Sequence, residues 1–351
     1  MNTTHVNRLS LVAVTLTLAL AACGGDGGGD GGDSAQNPPP VDDGAAVAAA
    51  AAASTATNNA DCKALGDFYW EIGDANGKLA SGSVGNSYSE TTKMEIASAS
   101  KWLYAAYVVE KRNGALDGTN DVQFLNFTSG YTGFGSQPGC GLDSRTVDDC
   151  LSGTRGDRDP AAIGRFDYDS GHMQVHASTQ MGLGGFTADD LGREFSRTIM
   201  KLETDLEYFN PQIAGDGETT PQAYAYFLRR LLASSSSPLK IGELLGKYPV
   251  CTKASATCDA VDGGSPTTND WHYSLGHWVE DDPAAVAQDN RAYSSAGAFG
   301  FYPWVDFSRT HYGIVARKVV GAVTGSNQPE GFASSNCGKQ IRLAYMTRTP
   351  K

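Results

Sequence analysis

The sequence has no basic block and an excess of acidic residues. It carries 27 Lys and Arg against 39 Asp and Glu, which gives a formal net charge of −12 at pH 7. Proteins that bind nucleic acid neutralise phosphates with clustered positive charge. The charge balance therefore argues against a nucleic-acid partner.

Motifs that would indicate a metal or a nucleotide are also missing. No Cys-x-x-Cys pair suggests a structural zinc site, and the glycines after residue 23 are not followed by Gly-Lys-Ser/Thr, as a phosphate loop requires. His172 and His176 are four residues apart and could share a helix face, but no His-Glu-x-x-His pattern completes a metal site. We expect neither a metal nor a cofactor.

No apolar run near the N-terminus is long enough to span a bilayer. The run from Leu9 to Leu20 follows Arg8 and closes with small residues before Cys23. This stretch resembles a bacterial lipoprotein signal. The resemblance implies a signal peptide over 1–22, a lipid on Cys23, and an exported protein held at a membrane surface, in the periplasm or at the outer membrane. An ordinary secretory signal with an incidental Cys23 is the alternative.

Residues 23–60 contain no aromatic residue and, apart from Val41 and Val47, none of the branched apolar residues that form cores. They are rich in Gly and Asp, then Pro, then Ala, Ser, Thr and Asn, and we interpret them as a flexible tether. The remaining residues, 61–351, suit one large domain or two closely packed lobes.

Cysteine usage supports export. Beyond Cys23 there are six cysteines, and an even number outside the cytosol suggests disulfides. Disulfides between Cys140 and Cys150 and between Cys251 and Cys258 would close short loops. The remaining pair, Cys62 and Cys337, would then join the two ends of the domain. The sequence leaves this connectivity open.

The stretch from Ile96 to Leu103 contains a candidate nucleophile. An apolar, strand-like run ends at Ala97, and a helix-like run starts at Trp102, so Ser98 is expected at a helix N-terminus with Lys101 one turn later. A hydroxyl beside a group that can accept its proton is the basis of covalent catalysis. The helix dipole would also favour negative charge developing near Ser98.

Ser-x-x-Lys by itself is a weak signal. A second copy, Ser237 to Lys240, follows a serine run and contains a proline, which predicts a loop. The ordinary interpretation of the first copy is a capping serine followed by a solvated lysine. Further motifs are needed to favour catalysis.

The order of predicted elements indicates a mixed α/β (α+β) fold. Strand-like segments lie at both ends, with mostly helical segments between them. The predicted strands comprise a hairpin over 68–84, Trp271 to Val279, Tyr293 to Phe301 and Tyr312 to Arg317, and a helix is predicted over Asn336 to Met346. We expect an antiparallel sheet flanked by helices, plus a mostly helical lobe.

Three motifs in order resemble those of the serine β-lactamase and penicillin-binding-protein superfamily. Ser98 to Lys101 is similar to the nucleophile motif, Tyr168 to Ser170 to Tyr-x-Asn/Ser, and Ser295 to Gly297 to Lys-Thr-Gly or His-x-Gly. The nearest look-alikes are class C β-lactamases, D-alanyl-D-alanine carboxypeptidases and family VIII esterases. Tyr208 begins a literal Tyr-x-Asn, but a proline and a loop follow it, so Tyr168 is preferred.

The resemblance implies acyl transfer. Ser98 would attack a carbonyl, with either Lys101 or Tyr168 as the base. Backbone N–H groups of Ser98 and Ala298 would form the oxyanion hole, and Ser170 would orient substrate or Lys101.

The third motif departs from the family, because Ser295 replaces Lys or His and carries no charge. In β-lactam-recognising members a cation there helps to hold the substrate's carboxylate. We therefore expect a serine hydrolase acting on a small ester, amide or short oligomer. The alternatives are a β-lactamase, or a D-alanyl-D-alanine carboxypeptidase or penicillin-binding protein that acts on cell-wall peptide; a weaker one is a surface interaction protein with a degenerate site.

Overall fold

Two antiparallel sheets contain the strands. The computed structural model describes residues 44–134, 140, 141, 143–200, 205–319 and 329–351. The strands in chain order are β1 (Phe68–Gly73), β2 (Lys78–Val84), β3 (Met94–Glu95), β4 (Leu206–Tyr208), β5 (Gly217–Thr219), β6 (Val250–Cys251), β7 (His272–Ser274), β8 (His277–Glu280), β9 (Ala292–Ser294), β10 (Tyr302–Asp306) and β11 (Tyr312–Ala316). The larger sheet has the order β2-β1-β11-β10-β9-β8-β7-β6, and the smaller one β3-β5-β4.

The α-helices lie at both ends of the described chain and, for the most part, between strands β3 and β6. In chain order they are α1 (Gly44–Asn58), α2 (Ala60–Lys63), α3 (Ser100–Lys111), α4 (Gln123–Leu125), α5 (Gly171–Thr179), α6 (Ala188–Phe195), α7 (Pro221–Arg229), α8 (Pro283–Ala287) and α9 (Glu330–Thr347). In the part of the chain described here, none of them is long and apolar enough to cross a membrane.

Helices flank the large sheet as expected. Helix α9 packs against β10 and β11, and α7 contacts the same two strands. Helices α3 to α6 and the small sheet form the mostly helical part. This arrangement confirms the predicted fold class, an antiparallel sheet with flanking helices and a helical lobe.

Helix α3 is buried along nearly its whole length. The eight residues from Trp102 to Val109 are at most 1% exposed. A helix that is apolar on every side belongs in the interior, because burial of each large side chain contributes about 1.5–3 kcal/mol. The nucleophile motif therefore starts an element that the core holds firmly.

The strand predicted over Trp271 to Val279 is a hairpin instead. Its two arms, β7 and β8, pair Ser274 with His277. The two residues between them, Leu275 and Gly276, have φ values of 41° and 77°. Positive φ at both positions defines the two-residue turn whose twist suits a hairpin, and the aromatic run concealed that turn.

The strand predicted over Tyr293 to Phe301 is also shorter than expected. Only β9, ending at Ser294, is extended. The chain then turns, with Gly297 N donating to Phe301 O at 2.8 Å, before β10 begins at Tyr302. This turn positions the third motif.

The flexible tether expected over 23–60 is wrong for its C-terminal part. Gly44–Asn58 is helical and packs against α9. Alanine has the highest helix propensity, and Ala48, Ala52 and Ala56 repeat every four residues to form a buried stripe. Small side chains suffice here because the core that the helix covers already exists. The preceding part of the expected tether, with the signal peptide and Cys23, lies outside the described residues.

The three disulfides confirm the proposed pairings. They join Cys62 to Cys337, Cys140 to Cys150 and Cys251 to Cys258. The first links α2 to α9 and so joins the two ends of the domain.

Candidate active site

Ser98 lies where the chain passes from the small sheet into α3. It is the middle residue of a 3-10 turn, Ala97–Ala99, that leads directly into the helix. Ile96 N donates to Gly217 O at 2.9 Å, which ties the approach to β5. Ala97 has a φ of 44°, in the left-handed region that residues with a Cβ rarely adopt. Such backbone strain is found preferentially at functional sites.

Lys101 extends towards Ser98, as its spacing predicted. Its Nζ lies 3.0 Å from Ser98 Oγ and 2.8 Å from the Ala214 carbonyl oxygen. The residue is only 3% exposed. Burial lowers the pKa of Lys101 to about 7, although the charges of Asp169 and Asp216 oppose the shift. In a substantial fraction of the molecules, Lys101 is therefore a neutral amine near pH 7.

Tyr168 completes a group of three with Ser98 and Lys101. Lys101 Nζ lies 4.9 Å from the centroid of the Tyr168 ring. Burial raises the pKa of Tyr168 above its usual value, and a hydrogen bond with Ser98 opposes that rise. Tyr168 N donates to Gly264 O at 2.8 Å, which fixes the backbone of the motif. Because its pKa is raised, the Tyr168 phenol is neutral at pH 7.

Ser170 immediately precedes α5. It occupies the N-cap position, but its hydroxyl makes no capping hydrogen bond. Its neighbour Asp169 instead accepts from Gly171 N at 2.6 Å. The aspartate thus secures the start of the helix, and the serine hydroxyl is not used for that purpose.

The third motif, Ser295 to Gly297, packs against the segment from Ile96 to Ser98. Ser295 is 2% exposed, and its Oγ donates to the Ser98 carbonyl oxygen at 3.1 Å. A Cβ on Gly297 would overlap the Ile96 carbonyl oxygen, so only glycine permits this approach. Ala298 follows in an exposed position, and its carbonyl accepts from Glu330 N at 3.1 Å. The Ser295 hydroxyl thus binds the backbone of Ser98.

Tyr208, in the other tyrosine motif, makes no hydrogen bond with Ser98 or Lys101 among the described residues. Tyr208 packs edge-on against Phe195, and its hydroxyl is buried without a hydrogen-bond partner among the described residues. The structure therefore places Tyr168, and not Tyr208, beside Ser98 and Lys101.

The second Ser-x-x-Lys copy lies in a loop, as predicted. Ser237 O accepts from Arg230 Nε at 2.8 Å, and Lys240 N donates to Glu110 Oε1 at 2.5 Å. These contacts are structural.

Sequence reasoning missed Ala214 and Asp216 as parts of the site. None of the sequence motifs includes the segment from Ala214 to Gly217. The observation that could have singled it out is an acidic residue between two glycines, directly before a predicted helix.

The two spaced histidines are held by protein groups. His172 contacts Ser129 Oγ at 2.7 Å, and His176 contacts Tyr104 OH at 2.6 Å and Asp121 Oδ1 at 3.1 Å. Within the described ranges, no cluster of three or more His, Cys, Asp or Glu residues could hold a metal ion.

Solved structures, and not sequence comparisons, show which known proteins share the fold of this chain. No protein-family model matches the sequence, and no curated protein matches it significantly. EstCE1, described as a hydrolase with promiscuous acyltransferase activity, matches at a TM-score of 0.58 and 13% identity, over 86% of this chain and 99% of its own. The chain has a β-lactamase-like fold.

Two further solved structures share this fold. A putative β-lactamase from Bacteroides dorei matches at a TM-score of 0.54 and 20% identity, over 79% of this chain and 93% of its own. A β-lactamase/D-alanine carboxypeptidase from Yersinia pestis matches at 0.55 and 13% identity, over 85% and 99%. Identities this low establish the β-lactamase-like fold but no activity.

Proposed function

We propose that the chain is a serine hydrolase that forms a covalent acyl-enzyme on esters or amides. The observation that carries the proposal is the buried amine of Lys101, 3.0 Å from Ser98 Oγ, with a pKa lowered to about 7. A hydroxyl is a weak nucleophile until a nearby base can accept its proton. The sequence left Lys101 and Tyr168 as alternative bases, and the raised pKa of Tyr168 favours the neutral lysine.

In the proposed reaction, Ser98 Oγ forms a bond to the substrate's carbonyl carbon, and its proton passes to Lys101. The tetrahedral intermediate then collapses, the bond to the leaving group breaks, and the alcohol or amine leaves with a proton relayed through Tyr168. Water adds to the acyl-enzyme in the same manner and releases the acid and free Ser98. The first proton transfer joins groups already in contact, because Lys101 Nζ lies 3.0 Å from Ser98 Oγ.

The backbone N–H groups of Ser98 and Ala298 are the proposed oxyanion hole. The support is the close packing of Gly297 on Ile96, which brings the Ala298 turn against the nucleophile segment. The N-terminal end of α3 would add a favourable dipole for the developing negative charge.

Uncharged substrates are the proposed class. Ser295 carries no charge, and its only hydroxyl proton is used on the Ser98 carbonyl oxygen. The position that would hold a substrate carboxylate through a cation therefore offers no donor while this bond is present. We propose a small ester, amide or short oligomer over a β-lactam or a cell-wall peptide.

Substitution of the nucleophile tests the proposal. Ser98→Ala should lower turnover of a short-chain p-nitrophenyl ester by more than about a thousandfold, because no other group forms the acyl-enzyme. Ser237→Ala, in the second Ser-x-x-Lys copy, is the matched control and should retain wild-type turnover. Circular dichroism checks that both variants fold.

A chromogenic cephalosporin assayed in parallel distinguishes the substrate classes. Ester turnover that disappears in Ser98→Ala, without cephalosporin turnover, is the expected result. Fast cephalosporin turnover would favour the β-lactamase alternative, and slow acylation without release would favour a penicillin-binding protein. Activity of Ser98→Ala within tenfold of wild type would overturn the assignment.

Export and lipid anchoring at Cys23 belong to the same proposal. Three disulfides among the described residues support export, because disulfides persist mainly in oxidising compartments. We propose that residues 1–22 are a signal peptide and that the anchor is a lipid on Cys23. The mass of the mature N-terminal peptide tests this assignment.

A further inference from the structure

Asp216 is a buried carboxyl group close to the proposed nucleophile. It lies between β4 and β5 and is 6% exposed. Asn210 hydrogen-bonds the carboxyl group, but Oδ2 is buried without a partner among the described residues. A buried carboxyl oxygen left unpaired costs free energy, so its retention calls for an explanation.

The segment that contains Asp216 is attached to the nucleophile segment on both sides. Two residues earlier, the Ala214 carbonyl oxygen accepts from Lys101 Nζ at 2.8 Å. One residue later, Gly217 N donates to Ser100 Oγ at 3.2 Å, and Gly217 O accepts from Ile96 N at 2.9 Å. These contacts fix the backbone of Asp216 relative to Lys101.

The loop itself does not require an acidic side chain. The backbone N–H of Asp216 donates to Gln212 O at 3.2 Å, and its carbonyl accepts from Phe209 N at 3.2 Å. Any residue except proline could make these two bonds. The carboxyl group therefore needs an explanation outside the loop.

The groups that face Asp216 come from three elements. Lys101 on α3 is the cation, Glu95 on β3 is an anion, and the buried phenol of Tyr208 lies on β4. Burial raises the pKa of Asp216 to about 7, Asn210 opposes this rise, Glu95 adds to it, and Lys101 opposes it. Glu95 is itself paired with Lys318 at 2.9 Å.

Lys101 responds to two carboxyl groups. Burial lowers its pKa, and the charges of Asp169 and then Asp216 raise it. The Asp169 carboxylate also stabilises the start of α5, because it accepts a hydrogen bond from Gly171 N. Asp216 and Lys101 are therefore two buried groups of opposite sign that titrate in the same range and influence each other.

We propose that Asp216 is a positioning residue whose buried carboxyl group acts on Lys101 through its charge and thereby sets the pH range in which the lysine can accept the proton of Ser98. It acts through Lys101 and does not touch the substrate. The inference rests on the proposed hydrolase function. As an anion, Asp216 holds the proton on Lys101, so that the neutral amine forms at higher pH than it would alone.

The pH dependence of kcat/KM for the ester substrate tests this role. Asp216→Asn removes the charge and keeps the size. Lys101 should then lose its proton more easily, and the acidic limb of the profile should move to lower pH by on the order of one unit. Glu218→Gln, which removes a carboxylate from the neighbouring strand β5, is the control and should leave the limb unchanged.

A structural role for Asp216 would give a different result. Lower activity at every pH with the limb in place would overturn the proposal, as would a limb that moves to higher pH. If Ser98→Ala stays active, the hydrolase proposal itself fails; if Ser98→Ala is inactive and the Asp216→Asn limb is unmoved, only this inference fails.

A measurement on the wild type covers the case in which the variant does not fold. The infrared band of protonated carboxyl groups should retain a component that disappears only near pH 7. Ordinary carboxyl groups lose this band near pH 4. If no carboxyl band titrates above about pH 6, Asp216 does not titrate in the range of Lys101 and the proposal fails.

Discussion

At the scale of single residues, burial distinguishes the two Ser-x-x-Lys segments. Lys101 is 3% exposed with its Nζ on Ser98, and the missing solvation of its charge lowers the pKa to about 7. Lys240 has the same spacing from Ser237 but lies in an exposed position at the start of a surface turn. The same Ser-x-x-Lys spacing therefore places the two lysines in different environments.

A tyrosine pair provides a prediction at this scale. Tyr168→Phe should lower kcat/KM by about a hundredfold or more, because the relay to the leaving group loses its hydroxyl. Tyr208→Phe removes a buried phenol that has no hydrogen-bond partner among the described residues, and should keep near wild-type activity. Steady-state kinetics on both variants decide the matter. A loss confined to Tyr208→Phe would reverse the assignment.

At the scale of elements, the N-terminal helix shows how composition can mislead. Helix α1 has no large apolar residue on its buried face; that face consists of alanines and Thr55. Helix α1 packs against α9. It is also hydrogen-bonded to the last residue of the chain, since Lys351 N donates to Thr55 Oγ1 at 2.9 Å. A segment without core-forming side chains can be ordered when it covers a core built by others.

Two neighbouring alanines on α1 test its docking. Ala52→Glu should lower the free energy of unfolding by on the order of 2 kcal/mol, because Ala52 is fully buried and a charge cannot remain there unpaired. Ala53→Glu introduces the same side chain at an exposed position and should change it by less than about 0.5 kcal/mol. Urea unfolding measures both. Equal stabilities would mean that α1 is not docked in solution.

At the scale of the whole molecule, distant parts of the chain build one site. Ser98 lies in the turn before α3 and Lys101 in the first turn of α3, while Tyr168 precedes α5 and Ser295 follows β9. The two ends of the domain are joined by the Cys62–Cys337 disulfide, whose sequence separation is 275 residues. The Cys251–Cys258 disulfide, with a separation of 7, closes only a local loop.

This difference in separation predicts unequal stabilisation. A cross-link stabilises mainly by restricting the unfolded chain, and more so for longer loops. Cys62→Ala/Cys337→Ala should lower the free energy of unfolding by about 3–5 kcal/mol, and Cys251→Ala/Cys258→Ala by about 2 kcal/mol. Denaturant unfolding without reductant measures both. The reverse order would contradict the expectation.

Local pattern was sufficient for the features that depend on near neighbours. Apolar spacing predicted α3 and the first hairpin, and the Ser98–Lys101 contact followed from residues three apart on a helix. The order of strands and helices predicted the mixed fold with its antiparallel sheet. These features rest on short-range geometry and on periodic burial, both of which are readable along the chain.

Folding alone decided the features that depend on distant neighbours. The buried environment of Lys101, the carboxyl group of Asp216 beside it and the hydrogen bond from Ser295 to Ser98 all join segments more than a hundred residues apart. The docking of α1 and the turn that divides β7 from β8 likewise depend on what each segment packs against. Solvation and charge at a site are properties of its surroundings, and the surroundings exist only once the chain is folded.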